Sequence, residues 1–309
     1  LQVVGRHVID RQEYAAMNPS AVVDELRGTG RIVLLYKRLP CSEWALVRGE
    51  GVAGTVCVIS DDHGVSWRDE REITNAVHRP DRWRVQIPTA GHAIQLRGTA
   101  DKPFLHGRLF FSGSHTTDDD SVFEQRNYAF WSDDLGQTWQ MGPEIDVRAD
   151  GATAQGLNEA MAVELSDGRI AINSRNYQNG RAVGCRAVTL GEFDRAGQLH
   201  FEPTRHDATL IEPPCQASIA RYDARDRERP VLLFANPAHG AARVNMTVRL
   251  SRDDGESWPV AKVIDPGPSA YSDLVIQSDG GIGLLYERGN DGGIWYASFG
   301  LDWLEQSPA

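Results

Sequence analysis

Glu159 and Tyr271 stand out in this chain because their placement, and not only their type, allows chemistry. They head two stretches that align without gaps, EAMAVELSDG from Glu159 and YSDLVIQSDG from Tyr271, so the two residues hold equivalent positions in two repeats. Seven residues beyond the closing glycines, Gly168 and Gly280, stand Arg175 and Glu287, again equivalent to each other. Arg243 opens a further run, RVNMTVRLS. A carboxylate and a phenol that meet can pass a proton between them, and guanidinium groups beside them can hold an anion. The same residue types also serve as solvated strand ends and surface cations, so the choice depends on the elements that carry them.

Those elements repeat. Three segments share the pattern Ser-x-Asp-x-Gly-x-Ser/Thr-Trp: SDDHGVSW from Ser60, SDDLGQTW from Ser132 and SRDDGESW from Ser251; DRAGQLHF from Asp194 is a degenerate fourth. Their aspartates, Asp62, Asp134, Asp194 and Asp253, fall 72, 60 and 59 residues apart. Asp and Gly in this order make a tight turn in which the carboxylate accepts backbone N–H groups and the glycine takes a positive φ. The boxes therefore read as folding devices whose polar groups the turn consumes.

In phase with them run apolar, β-branched stretches of strand length: GRIVLLYKR from Gly30, GRLFFSGSH from Gly107, GRIAINSRN from Gly168, RPVLLFANP from Arg229 and GGIGLLYER from Gly280. Each follows another strand-like run, NPSAVVD, HAIQL, EAMAVEL, QASIARY or YSDLVIQ. Strand pairs at this period, without a long helical one, predict an all-β propeller of four-stranded blades, about five of them within 309 residues. A β-sandwich would not place boxes in phase with strand pairs. In a propeller the inner strand mouths converge, which would bring Glu159 and Tyr271 together.

Composition narrows the partners. A net charge of −11 disfavours nucleic acid, whose binding rests on Lys and Arg neutralising phosphates. An anionic substrate would need a local cationic pocket. Cys41, Cys57, Cys185 and Cys215 are far apart, with neither zinc-ligand nor disulfide-framework spacing, and no cofactor or metal is expected. No apolar run reaches the length of a transmembrane helix, and the sequence opens at Leu1 without a signal-peptide pattern.

The boxes together with NPSAVVD, GHAIQL, NEAMAVELSDGRIAINSRN, PPCQASIARY, FANP, RVNMTVRLSRDDGESWP and GPSAYSDLVIQSDGGIGLLYERG resemble, in order from Asn18 to the end, successive segments of bacterial exo-α-sialidases with Asp-box (BNR) repeats. The resemblance implies one domain over residues 1–309 with a six-bladed β-propeller fold. It further implies a retaining glycosidase that removes terminal sialic acids from glycans, glycoproteins or glycolipids, with a secreted or periplasmic location favoured by that substrate. By the same resemblance Tyr271 matches the nucleophile, Glu159 its partner base, Arg175 and Arg243 two arginines that bind the substrate carboxylate, and Glu287 the acid that orients a third. His115, Gln155, Asn158 and Gln216 are candidates for the glycerol and N-acetyl pockets, and otherwise satisfied strand-end polars.

A tyrosine nucleophile suits this substrate. Sialic acid bears a carboxylate on its anomeric carbon, so a carboxylate nucleophile would meet like charge, which a neutral phenol beside a Glu avoids. The family also begins with a blade carrying an Arg-Ile-Pro motif and an Asp general acid, and neither is found here; Arg6 precedes His-Val and is not assigned. One blade, one arginine and the acid are therefore expected to lie outside this sequence. A glycan-binding propeller without activity is the alternative.

Overall fold

The structure is a computed structural model that describes residues 15–117, 124–152, 156–178, 181–223, 230–289 and 293–306. It divides into two compact units, one made of the chain up to Asp146 with Phe193–His200, the other of Val147–Glu192 with Phe201 onward. All five residues singled out as catalytic, anion-binding or supporting belong to the second unit.

In the first unit β1 (Ala15–Val23), β2 (Ile32–Leu39), β3 (Gly54–Ser60) and β4 (Arg68–Glu72) form one antiparallel ladder. After β5 (Gln86–Pro88), β6 (Gly91–His92) and β7 (Ile94–Gln95), the strands β8 (Leu109–His115), β9 (Arg126–Ser132) and β10 (Gln140–Glu144) make a second, with β5 and β7 on β8. Between these ladders lies a core of Val33, Leu35, Ile59, Phe111, Tyr128 and Phe130. Each such side chain contributes about 1.5–3 kcal/mol by leaving water.

The second unit carries β11 (Leu157–Glu164), β12 (Ile170–Gln178), β13 (Arg181–Ala182) and β14 (Cys185–Phe193); after β15 (Leu199–Phe201) comes β16 (Arg205–Ile211), which pairs with β14. Then follow β17 (Ser218–Tyr222), β18 (Val231–Pro237), β19 (Val244–Ser251), β20 (Val260–Ile276), β21 (Ile282–Arg288) and β22 (Gly293–Phe299), hydrogen-bonded in that order. Every position of β3, β8, β11 and β18 is buried, so these strands are covered on both faces. That is why Val56–Ile59 of β3, Leu109–Phe111 of β8 and Val231–Ala235 of β18 read as apolar runs and not as alternation.

The strand pairs expected from the repeats are all present, and the described residues place the five repeats in four hydrogen-bonded sheets, the last of which holds two of them. The physical reason is β20. Its 17 residues pair through their first half with β19 and through their second half with β21, so one continuous strand joins the last two repeats.

The boxes are turns, as their composition requires. Ser60 Oγ accepts the Gly64 N–H at 2.8 Å, while Asp62 accepts the Ser66 N–H at 2.8 Å and its hydroxyl at 2.6 Å. Asp134 binds Thr138, and Asp253 binds Ser257, in the same way. Beyond expectation, the residue before each glycine is left-handed too, with φ of 60° at His63, 56° at Leu135 and 56° at Asp254. In the degenerate box Asp194 accepts the Ala196 and Gln198 N–H groups at 2.9 Å each.

Candidate active site

The two equivalent residues sit on equivalent backbone irregularities. Between Leu157 and Ala160, β11 spends three residues where β12 spends two, and β20 does the same against β21 between Ser269 and Ser272. These are β-bulges, which interrupt the ladder and re-aim side chains. Glu159 and Tyr271 each lie on the bulged side; Arg175 and Glu287 lie opposite, on the strands facing them.

The bulges let the side chains meet. The Tyr271 hydroxyl donates to Glu159 Oε1 across 112 residues of chain. Glu159 Oε2 accepts from Arg175 Nη1 at 2.9 Å, and Arg175 Nη2 donates to the Tyr177 hydroxyl. Arg175 Nε is buried and has no hydrogen-bond partner. The Arg243 guanidinium lies 5.7 Å from the centre of the Tyr271 ring and donates to the Pro214 carbonyl at 3.0 Å. Its backbone carbonyl accepts the Ser269 N–H at 2.9 Å, which ties the start of β19 to the bulged part of β20. Glu287 is exposed, and its Oε2 accepts the Tyr271 backbone N–H at 3.3 Å.

Charge and burial set the protonation states. Burial pushes the Tyr271 phenol well above its ordinary value, and the Glu159 carboxylate adds to the shift while Arg175 opposes it. The phenol therefore keeps its proton, held against Glu159. Burial works against the Arg175 charge, yet Glu159 and Tyr177 outweigh it and raise the guanidinium further. With Glu159 only 5% exposed, its charge is balanced by Arg175 rather than by water. The arrangement can move a proton from phenol to carboxylate as the phenolic oxygen forms a bond, and can hold an anion beside the cations.

Of the residues expected to line pockets, Gln216 belongs elsewhere. It is 2% exposed, its Nε2 donates to the Ser272 carbonyl at 2.9 Å and its Oε1 accepts the Ser272 N–H at 2.9 Å, so both ends of its amide are committed to backbone. Asn158 Oδ1 accepts the Glu159 N–H at 2.8 Å and is bound to the bulge itself. His115 lies in the first unit, fully buried and stacked on Trp83 with ring centroids 3.8 Å apart. Gln155 lies outside the described residues.

Sequence reasoning overlooked the ion pair of Arg186 and Glu212. Both are buried, at 0% and 1% exposure, and Arg186 Nη1 meets Glu212 Oε2 at 2.5 Å. Arg186 stands in an ordinary apolar strand and Glu212 in a Pro-rich connection, so only the completed fold pairs them. Among the described residues no group of three or more His, Cys, Asp or Glu side chains could hold a metal ion, and no helix is long and apolar enough to cross a membrane.

A profile of BNR repeat-like domains matches residues 2–284. A sialidase of Micromonospora viridifaciens is 36% identical over 249 residues, 79% of this chain and 35% of that protein. Among solved structures, a Hadza microbial sialidase superposes with a TM-score of 0.75 at 24% identity over 94% of this chain and 53% of its own. The intramolecular trans-sialidase of Ruminococcus gnavus, solved with oseltamivir carboxylate, gives 0.75 at 17% identity over 97% and 81%. The chain thus spans about a third of the Micromonospora protein and about half of the Hadza one. The shared fold is the sialidase β-propeller. By the profile that covers nearly all of it, and with bacterial-type sialidases as its relatives, this chain belongs to the family of BNR repeat-like domains.

Proposed function

We propose that this chain carries the nucleophilic half of a retaining exo-α-sialidase acting on sialylated glycans, glycoproteins or glycolipids. The observation that carries the reading is the hydrogen bond from the Tyr271 hydroxyl to Glu159, made on paired β-bulges with Arg175 and Arg243 beside it. In the first step the Tyr271 oxygen bonds to the anomeric carbon, the phenolic proton passes to Glu159, and the glycosidic C–O bond breaks with its electron pair on the aglycone oxygen, which takes a proton from solvent. Water then cleaves the tyrosyl bond, so two inversions retain configuration. Arg243 and Arg175 hold the substrate carboxylate, which fixes the sugar over the phenol. Glu287 supports the site from across the bulge, at the Tyr271 backbone.

An aryl sialoside tests this without calling on a general acid, because a phenolate of low pKa departs unprotonated. Release of the phenol by the purified chain is expected, with Tyr271→Phe lowering turnover at least about 10³-fold while binding of an unsaturated sialic acid analogue is kept. Turnover by Tyr271→Phe at the wild-type rate would place the nucleophile elsewhere. Analogue binding without any release by the wild-type chain would instead make it a glycan-binding propeller.

A further inference from the structure

The short segment Glu212–Gln216 touches three elements that carry proposed active-site side chains, β12, the start of β19 and β20. Glu212 Oε1 accepts the Asn176 N–H at 2.9 Å, next to Arg175 on β12. The Pro214 carbonyl accepts from Arg243 at the start of β19. Gln216 grips Ser272, next to Tyr271 on β20. The segment is itself immobilised: Arg186 donates to Glu212, to the Cys215 carbonyl at 2.8 Å and to Asn173 Oδ1 at 2.6 Å, and Pro213 and Pro214 restrict the backbone between.

The Gln216 contact is the informative one. The bulge interrupts the ladder at Ala270 and Tyr271, so the residues that flank it fix where Tyr271 sits. Ser272, the first residue back in register with β21 after the bulge, is fixed by the side-chain amide of Gln216: the amide N–H donates to the Ser272 carbonyl and its C=O accepts the Ser272 N–H, both at 2.9 Å, with no water-exposed alternative for either group. Ser272 Oγ is further tied to the Ala235 carbonyl at 3.2 Å. On the other side of the bulge the Ser269 N–H is held by the Arg243 carbonyl. Tyr271 is thus suspended between two fixed points, and the reach of its hydroxyl to Glu159 depends on both.

We infer that Gln216 is a positioning residue that sets the Tyr271 hydroxyl against Glu159 through the Ser272 backbone. Its kinetic consequence rests on the reading of Tyr271 as nucleophile, but its geometric consequence does not. A shift of about 1 Å at a reacting atom costs on the order of 10²-fold in rate. Gln216→Met keeps the length of the side chain and removes both hydrogen bonds. It is expected to lower kcat for an aryl sialoside about 10–100-fold with KM changed less than about twofold, and its crystal structure is expected to show the Tyr271 hydroxyl withdrawn from Glu159.

Gln216→Glu supplies a readout that packing alone would not move. Its ionised carboxylate can accept from the Ser272 N–H but cannot donate to the carbonyl, whereas its protonated form can do both. Its kcat relative to wild type is therefore expected to rise as pH falls. A pH-independent ratio for Gln216→Glu would overturn the inference, as would a Gln216→Met structure with the Tyr271–Glu159 contact intact. Turnover by Tyr271→Phe would sink the nucleophile reading alone, and the Gln216→Met structure would still decide the positioning role.

Discussion

A phenol is a weak nucleophile at neutral pH, and burial of Tyr271 makes loss of its proton harder still. In the proposed reaction the compensation is local, since the Tyr271 hydroxyl already donates to Glu159, which would take the proton as the new bond forms. The cations divide the remaining work. Arg175 is spent largely on Glu159, while Arg243, exposed and anchored by one nitrogen to Pro214, has more of its fork free for a ligand. Arg243→Lys is accordingly expected to weaken binding of a sialic acid analogue about 10-fold, because a point charge cannot reproduce a bidentate contact. Titration calorimetry at fixed ionic strength checks this; unchanged affinity would remove Arg243 from the anion site. At this scale the equivalence of Glu159 with Tyr271 and of Arg175 with Glu287 was legible in the repeats, and both pairs sit at matching bulges. Gln216 stood open between a pocket residue and a satisfied strand-end polar, because nothing local distinguishes an amide that lines a pocket from one that clamps a strand.

At the scale of elements, two bulges and one buried ion pair decide the geometry. The strand runs were legible from apolar pattern and glycine, but the bulges were not. A bulge is a mismatch between two strands, and its signal lies in neither strand alone. The pair of Arg186 and Glu212 was hidden for the same reason. Burial raises the Glu212 carboxyl above its ordinary value, against the pull of Arg186, the Asn176 N–H and Arg175. Arg186→Met leaves that carboxylate unpaired in the core, which should cost about 3–5 kcal/mol in equilibrium urea unfolding. Arg186→Met combined with Glu212→Met should recover part of the loss. A single variant as stable as wild type would show that the pair is not needed to hold the segment.

At the scale of the molecule, the first unit contains a group that makes folding sensitive to acid. His78 is 3% exposed with neither ring nitrogen hydrogen-bonded, and burial, with His115 and Arg84 adding to it against Asp81, lowers its pKa to about 4. The folded state thus favours the neutral ring, while the unfolded chain takes up a proton near pH 6.5. The stability carried by the neutral ring is complete above pH 6.5 and is lost as pH falls through about 4, a change on the order of 3 kcal/mol. Urea unfolding at pH 7 and pH 4.5 should show a drop in wild type that His78→Leu diminishes. An equal drop in both would assign the acid sensitivity to other groups.

The sequence by itself determined the all-β class, the phase of the strand pairs and the turn chemistry of the Asp boxes, because these rest on interactions within a few residues or on a period. It also marked Glu159 and Tyr271 as equivalent. Only the tertiary structure decided that β20 runs unbroken through two repeats, that both residues sit on bulges, and that Gln216, Arg186 and Glu212 serve the backbone around them. Those features are matters of register between strands or of contacts far apart in the chain, 56 residues for Gln216 and Ser272 and 112 for Tyr271 and Glu159. No local preference specifies such a contact, because it exists only once packing has brought the strands together.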